Sequence, residues 1–165
     1  MLEKGEFYFS IGSMAPHKNF EWVIRAAKNN PQCKFLIAGG IDSKIWSYQA
    51  DVSETQNVTF LGYISDEEMK WYMRHAKALL FPSFYEGFGI PPLEALALGT
   101  PVIASDIPVL RETFGDTVHY IDPMDYNVNL DALLQKPVEP ADIVLEKETW
   151  KNAAKFWIDV IKDNS

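Results

Sequence analysis

The sequence predicts an α/β protein: a doubly wound, mostly parallel sheet of six strands. Three observations lead there. Six short apolar runs punctuate the 165 residues, at Phe7 to Ile11, Phe35 to Ala38, Val58 to Leu61, Ala78 to Phe81, Thr100 to Ala104 and Val118 to Ile121. Each run after the first follows a helix-like or loop segment, so consecutive strands are joined by crossovers, as parallel pairing requires. The runs are short and continuous in apolar character, as in strands covered on both faces.

Taken in order, the first run closes on Gly12, and a turn from Ser13 to His17 leads through Lys18-Asn19 into a helix from Phe20 to about Asn29. Asn19 is placed to cap that helix by accepting from an N–H two or three residues on, and Pro31 lies beyond its end. Trp22, Val23, Ala26 and Ala27 share the inner face. The second strand ends at Gly39-Gly40. Ile45 to Glu54 reads as a helix with Trp46 and Ala50 inward. The third strand ends at Gly62, and Ser65-Asp66-Glu67-Glu68 has capping-box spacing for a helix to about Lys77. Met69, Tyr72, Met73 and Ala76 recur along it at helical spacing.

The fourth strand feeds a glycine-bearing loop and a short helix. Pro91 and Pro92 fit only its first turn, where their missing N–H groups had no partner anyway, and Gly99 stops it. A fifth strand ends at Ser105-Asp106, a helix covers Val109 to Phe114, and the sixth strand follows. Beyond Pro123 only Val128 to Leu134 has helical spacing, and Pro137 and Pro140 mark loop. Thr149 to Asp163 is an amphipathic helix with Trp150, Ala153, Ala154, Trp157, Val160 and Ile161 on one face.

Composition narrows the function. The chain is 47% apolar and 23% charged, which suits one globular domain spanning residues 1–165 and excludes disorder. A formal net charge of −8 leaves no evident basic stripe for a nucleic-acid partner. No apolar run reaches the ~18 residues needed to span a bilayer, and Glu3 and Glu6 break any secretory-signal pattern. The single cysteine, Cys33, forms no internal disulfide, which fits a reducing compartment. The expectation is a soluble protein of the cytoplasm.

The chemistry concentrates after the fourth strand. Phe81-Pro82-Ser83-Phe84-Tyr85-Glu86-Gly87-Phe88-Gly89-Ile90 brings backbone N–H groups to a helix N-terminus, whose partial positive charge favours phosphate. Gly87 and Gly89 let a ligand approach that backbone closely. Glu86, before the loop, and Glu94, in the first helical turn, only accept hydrogen bonds when ionised, so they suit hydroxyl groups. Amides for phosphate flanked by carboxylates for hydroxyls match a sugar nucleotide. Ligands of parallel sheets sit at the carboxyl ends of strands, where Lys18, in the loop after the first strand, could reach a diphosphate. Gly12 stands alone, without a Gly-x-Gly-x-x-Gly fingerprint, and there is no Gly-x-Ser-x-Gly elbow or Gly-Lys-Ser/Thr loop. His17, His75 and His119 lack metal-ligand spacing.

Glu86, seven intervening residues and Glu94, within the run from Phe81 through Leu93-Glu94-Ala95-Leu96-Ala97-Leu98-Gly99-Thr100-Pro101-Val102 to Ser105-Asp106, resembles the signature of retaining glycosyltransferases of family 4, the glycosyl transferases group 1. The likeness extends to Ile107-Pro108-Val109-Leu110-Arg111-Glu112, to Val58-Thr59-Phe60-Leu61-Gly62 and to the Gly12 to Asn19 loop. It implies a GT-B architecture, two Rossmann-like domains facing across a cleft, of which this chain is the C-terminal, donor-binding half. The N-terminal acceptor domain is then absent from the chain, which is expected to be a piece of a longer protein.

By that resemblance Glu86 contacts the donor-sugar hydroxyls and Glu94 the ribose. The amides of Gly87, Phe88, Gly89 and Ile90 meet the sugar and phosphates, Lys18 neutralises the diphosphate, Gly12 and Ser13 form the facing loop, and the backbone at Tyr63 and Ile64 faces the base. Glu86 and Lys18 are the expected catalytic residues, with no metal and no cofactor besides a nucleoside-diphosphate sugar as co-substrate. The implied reaction passes a hexose to a glycan or lipid-linked acceptor in cell-envelope polysaccharide synthesis, in the manner of a mannosyl- or rhamnosyltransferase. Such a protein works in the cytoplasm, free or, at full length, against the inner face of the membrane. Ser13 departs from the pattern, since many members carry arginine there. This leaves open a non-catalytic nucleotide-sugar-binding or protein-interaction module with a degenerate site. The isolated chain is expected to bind nucleotide weakly and turn over slowly or not at all.

Overall fold

The computed structural model describes residues 4–39, 55–149 and 152. The helices expected over 45–54 and 149–163 lie outside the described residues, apart from Thr149 and Asn152. The strands are β1 (Phe7–Ile11), β2 (Lys34–Ala38), β3 (Val58–Gly62), β4 (Ala78–Phe81), β5 (Val102–Ser105) and β6 (His119–Ile121). They form one sheet in the order β3-β2-β1-β4-β5-β6, every pairing parallel. This is the doubly wound, Rossmann-like layout expected from the apolar runs. Thr100 and Pro101 precede β5, because proline offers no N–H to a central ladder.

The described helices are α1 (Phe20–Asn29), α2 (Asp66–His75), α3 (Ile90–Ala97), α4 (Pro108–Phe114), α5 (Leu130–Leu134) and α6 (Asp142–Lys147). They divide between the two faces of the sheet. On one face Phe7, Phe9, Leu79 and Phe81 pack with Met73 of α2, Leu96 of α3, Phe114 of α4 and Val144 of α6. On the other, Tyr8, Phe35 and Leu80 pack with Phe20, Trp22 and Ile24 of α1 and Leu130 of α5. Strand alternation sends Phe7 and Phe9 one way and Tyr8 the other, so β1 feeds both cores. Burying a side chain of that size stabilises the fold by roughly 1.5–3 kcal/mol.

The helix ends show what fixes their positions. Ser65 Oγ accepts from Glu68 N at 3.3 Å while Glu68 Oε2 accepts from Ser65 N at 2.8 Å, the reciprocal box the sequence predicts for α2. Pro91 and Pro92 stand second and third in α3, and Gly99, with φ of 75°, follows its end. Two expectations are corrected. Asn19 does not cap α1 with its side chain: it sits at φ 54°, in the left-handed region, and its carboxamide points elsewhere. Glu94 is the fifth residue of α3 and so lies in its second turn, because Gly89, at φ 99°, starts the helix at Ile90. The segment after Pro140, read as loop, contains α6, whose one buried side chain is Val144.

Candidate active site

Strand order turns back at β1, with β2 on one side and β4 on the other, which opens a crevice beyond the carboxyl ends of β1 and β4. The loops after these two strands meet there. Lys18 ends a short 3₁₀ turn, Pro16–Lys18, and its Nζ donates to Glu86 Oε1 at 2.7 Å. Their side chains are 18% and 10% exposed, so the pair is shielded yet reachable. Lys18 Nζ also lies 5.4 Å from the centroid of the Phe81 ring. A charge-assisted bond across 68 residues thus fixes the two loops against each other.

Asn19 explains how that junction is built. Its Nδ2 donates to Pro82 O and to Pro123 O, both at 3.0 Å, and Phe84 N donates to His17 O at 2.8 Å. One buried carboxamide therefore joins the loops that follow β1, β4 and β6. Asparagine is among the few residues that tolerate the left-handed conformation this position requires. That tolerance was the available signal, and a capping role competes for the same residue type.

The loop after β4 leaves donors open. The amides of Gly87, Phe88 and Gly89 donate no hydrogen bond among the described residues, and Pro91 and Pro92 have none to give. These three residues, with N–H groups that have no partner among the described residues, lead into the N-terminus of the eight-residue α3. The two glycines differ in reason. A Cβ on Gly87 would meet nothing within 4 Å, whereas one on Gly89 would lie 2.9 Å from Phe114 Cε2 and 3.0 Å from Leu110 Cδ2. Gly87 is open toward solvent; Gly89 is glycine because the core and a positive φ allow nothing else.

Glu94 is partly buried and accepts no hydrogen bond among the described residues. Burial raises its pKa above the usual carboxylate range, partly countered by Lys70 and reinforced by Asp66, both on α2. A carboxylate that is desolvated and unpartnered is a functional-site signal. Gly12 and Gly39 bring the chain after β1 and the chain after β2 into close contact: Gly12 N donates to Ala38 O at 3.1 Å, and a Cβ on Gly39 would overlap Gly12 O at 1.9 Å. Gly39 N in turn donates to Gly62 O at 2.9 Å, which fixes the loop bearing Tyr63 and Ile64 beside it.

Lys18, Glu86, Gly12 and the open amides thus share the crevice, while Glu94 lies one helical turn along α3. Ser13 is exposed at the mouth, Tyr63 is 86% exposed, and Ile90 is 62% exposed on the outer side of α3. Tyr85 is also 72% exposed, beside Glu86, and Phe84 half exposed. No cluster of three His, Cys, Asp or Glu side chains able to hold a metal ion occurs among the described residues. No described helix is long and apolar enough to cross a membrane.

Comparison with known proteins supplies the family. The profile of the glycosyl transferases group 1 family matches residues 2–150. The O-antigen chain mannosyltransferase RfbU of Salmonella typhimurium is 38% identical over 127 residues, which are 74% of this chain and 36% of that protein. The O-antigen chain mannosyltransferase B of Escherichia coli is 31% identical over 152 residues, 87% of this chain and 38% of that protein. The sucrose-phosphate synthase of Thermosynechococcus elongatus superposes with a TM-score of 0.78 at 26% identity, over 96% of this chain and 45% of that one. The chain spans little more than a third of the length of the two mannosyltransferases. Its sheet order, its switch-point crevice and a profile match over nearly its whole length place it in the glycosyl transferases group 1 family, as a GT-B domain.

Proposed function

We propose that the chain is the donor-binding domain of a glycosyltransferase that moves a hexose, with mannose the first candidate, from a nucleoside diphosphate to a glycan or lipid-linked acceptor. The observation that carries this is the Lys18–Glu86 pair set beside three open amides at the crevice of β1 and β4. Lys18 and the N-terminus of α3 supply fixed positive potential for the diphosphate, which gains negative charge as it leaves. Because Lys18 is already held by Glu86 and the helix end is fixed by the fold, little reorganisation is needed as that charge develops. The reading needs no metal, since the positive charge comes from the chain itself.

Glu86 has its second carboxylate oxygen available for the sugar hydroxyls while Lys18 holds the first, and Glu94 accepts from the ribose. The base lies against the backbone at Tyr63 and Ile64, with Gly12 and Ser13 forming the opposite edge. The acceptor enters from a second domain across the crevice. Retention of anomeric configuration follows the family pattern. Two of the named relatives are O-antigen chain mannosyltransferases, which supports mannose and cell-envelope polysaccharide.

The test is calorimetric titration of the chain with UDP, GDP, ADP and dTDP, followed by mannose and other sugar conjugates of the nucleotide that binds. Selective binding of one nucleotide, weakened about tenfold or more by Lys18→Ala, supports the reading. Equal affinity of wild type and Lys18→Ala for every nucleotide contradicts it and favours a degenerate module.

A further inference from the structure

Next to the crevice, on the outer side of the Lys18-Asn19 corner, lies a second hollow of about 220 Å³. Phe84, Met124 and Tyr126 form its apolar walls, Trp22 its base, and Glu21 and Arg25 of α1 its polar side. Its volume is below the ~300 Å³ at which drug-sized ligand sites begin, and so fits a single ring. From these contacts we infer a monosaccharide subsite for one hexose unit of a glycan acceptor. The inference deepens the proposed transferase function and rests on it.

The walls are exposed in a way that a folded monomer does not require. Phe84 is 45% exposed, Met124 72% and Tyr126 37%, on two loops that face each other across the hollow. A sugar ring has apolar C–H faces that displace water from aromatic rings, and hydroxyl edges that need both donors and acceptors. The polar side supplies both. Arg25 Nε donates to Glu21 Oε1 at 2.8 Å and one terminal nitrogen donates to the Tyr126 hydroxyl at 3.0 Å. The guanidinium lies 4.9 Å from the Tyr126 ring centroid, so ring and cation are held as a unit. Arginine has five N–H donors and a carboxylate about four acceptor sites, which leaves both groups with capacity for ligand hydroxyls.

Charge decides against the alternatives. Glu21 pairs with Arg25 and itself lines the hollow, so a phosphate would meet a carboxylate and an already neutralised cation. A neutral polyhydroxyl ring meets matched donors and acceptors. Trp22 Nε1 donates to Asp125 O at 2.8 Å and Asn29 Nδ2 to Tyr126 O at 3.1 Å, which hold the loop after β6 in place without a ligand. The hollow is also tied to the crevice: Asn19 lines it while Lys18 turns toward Glu86. Phe84 and Glu86 are two residues apart, no more than about 7 Å along the chain. The hollow and the crevice therefore share the loop that carries both Phe84 and Glu86.

The test is a titration of isotope-labelled chain with methyl α-mannoside, methyl α-glucoside and methyl α-galactoside, read from NMR shifts of the Arg25 side chain and of Phe84 and Tyr126 amides. A saturable shift confined to these groups is expected, with affinity falling about tenfold in Tyr126→Ala and again in Phe84→Ala. Arg25→Lys, which keeps the charge and loses the planar fork, should weaken the glycoside with little effect on stability. Nucleotide binding measured in the same variants separates the two proposals. Nucleotide binding without any glycoside shift, or shifts elsewhere than this hollow, overturns the subsite and leaves the donor reading intact. Glycoside shifts here without binding of any nucleotide keep the subsite as a sugar site and reject the donor reading.

Discussion

The two ends of the sheet contain the same chemical groups and use them differently. At the amino end, Lys77 Nζ donates to Asp131 Oδ1 at 2.7 Å, the same separation as in the Lys18–Glu86 pair at the carboxyl end. Asp131 Oδ1 also accepts from the Tyr8 hydroxyl at 2.6 Å and lies 3.8 Å from Cys33 Sγ. One carboxylate oxygen there joins α5 to the starts of β1, β2 and β4. At the carboxyl end Glu86 has one partner, Glu94 has none among the described residues, and the amides of Gly87, Phe88 and Gly89 stay open. A short ion pair therefore does not distinguish a site from a clamp; hydrogen-bonding capacity left without partners does.

The sharpest stress on this comparison falls on Gly89, which sits at the ligand end but is constrained by the core. Gly89→Ala should lose about 2–4 kcal/mol, from contacts under 3.1 Å with Phe114 and Leu110 and from the positive φ, as measured by urea denaturation. Gly87→Ala, with nothing nearby, should stay within about 0.5 kcal/mol of wild type yet weaken nucleotide binding. If both variants lose the same stability, the distinction drawn between these glycines fails.

Next in size is Asp131→Ala, which leaves the buried Tyr8 hydroxyl without its acceptor. A loss of about 1–3 kcal/mol is expected, with nucleotide affinity unchanged. The donor bonds of Lys77 and then Tyr8 hold the Asp131 carboxyl below its ordinary range. Its contribution is therefore present above about pH 4 and disappears as pH falls through the lower folded value, so wild type and variant should converge in acid. Denaturation series at several pH values would show a constant gap if the clamp did not act through this carboxylate.

Glu94 gives a smaller effect of opposite sign. Burial raises its pKa, so the fold favours the protonated form, an advantage present in acid and lost as pH rises through the folded value. Glu94→Gln should be slightly more stable than wild type at neutral pH, with the difference vanishing in acid. Nucleotide affinity should drop about tenfold in the variant, and in wild type should fall as pH decreases through the raised value. A flat pH profile of wild-type binding would remove Glu94 from the ribose contact.

Much of this was legible in the sequence, and the reasons separate fold from site. The six strands announce themselves because a strand covered on both faces must be apolar throughout, and the capping box of α2 is a local signal only four residues long. The open amides follow from Gly87, Gly89, Pro91 and Pro92 read together. The Lys18–Glu86 pairing is not legible, since its partners are 68 residues apart and only the sheet order brings them together. The sequence puts Glu94 one turn too early because the helix start depends on the backbone angle of Gly89. Asn19 looks like a local cap in the sequence because its actual partners, Pro82 and Pro123, are distant. The hollow at Phe84 and Tyr126 needs three loops at once, and no spacing encodes it.

The most direct test of the contrast between the two ends is a side-by-side measurement of nucleotide affinity and unfolding free energy for wild type, Glu86→Gln and Lys77→Ala. Glu86→Gln should lose about tenfold or more in affinity while Lys77→Ala keeps it, and Lys77→Ala should weaken the clamp on α5 without touching the crevice. If Glu86→Gln binds the nucleotide and its sugar conjugate as tightly as wild type does, the carboxyl-end pair is a structural clamp like Lys77 and Asp131, and the donor-site assignment is wrong.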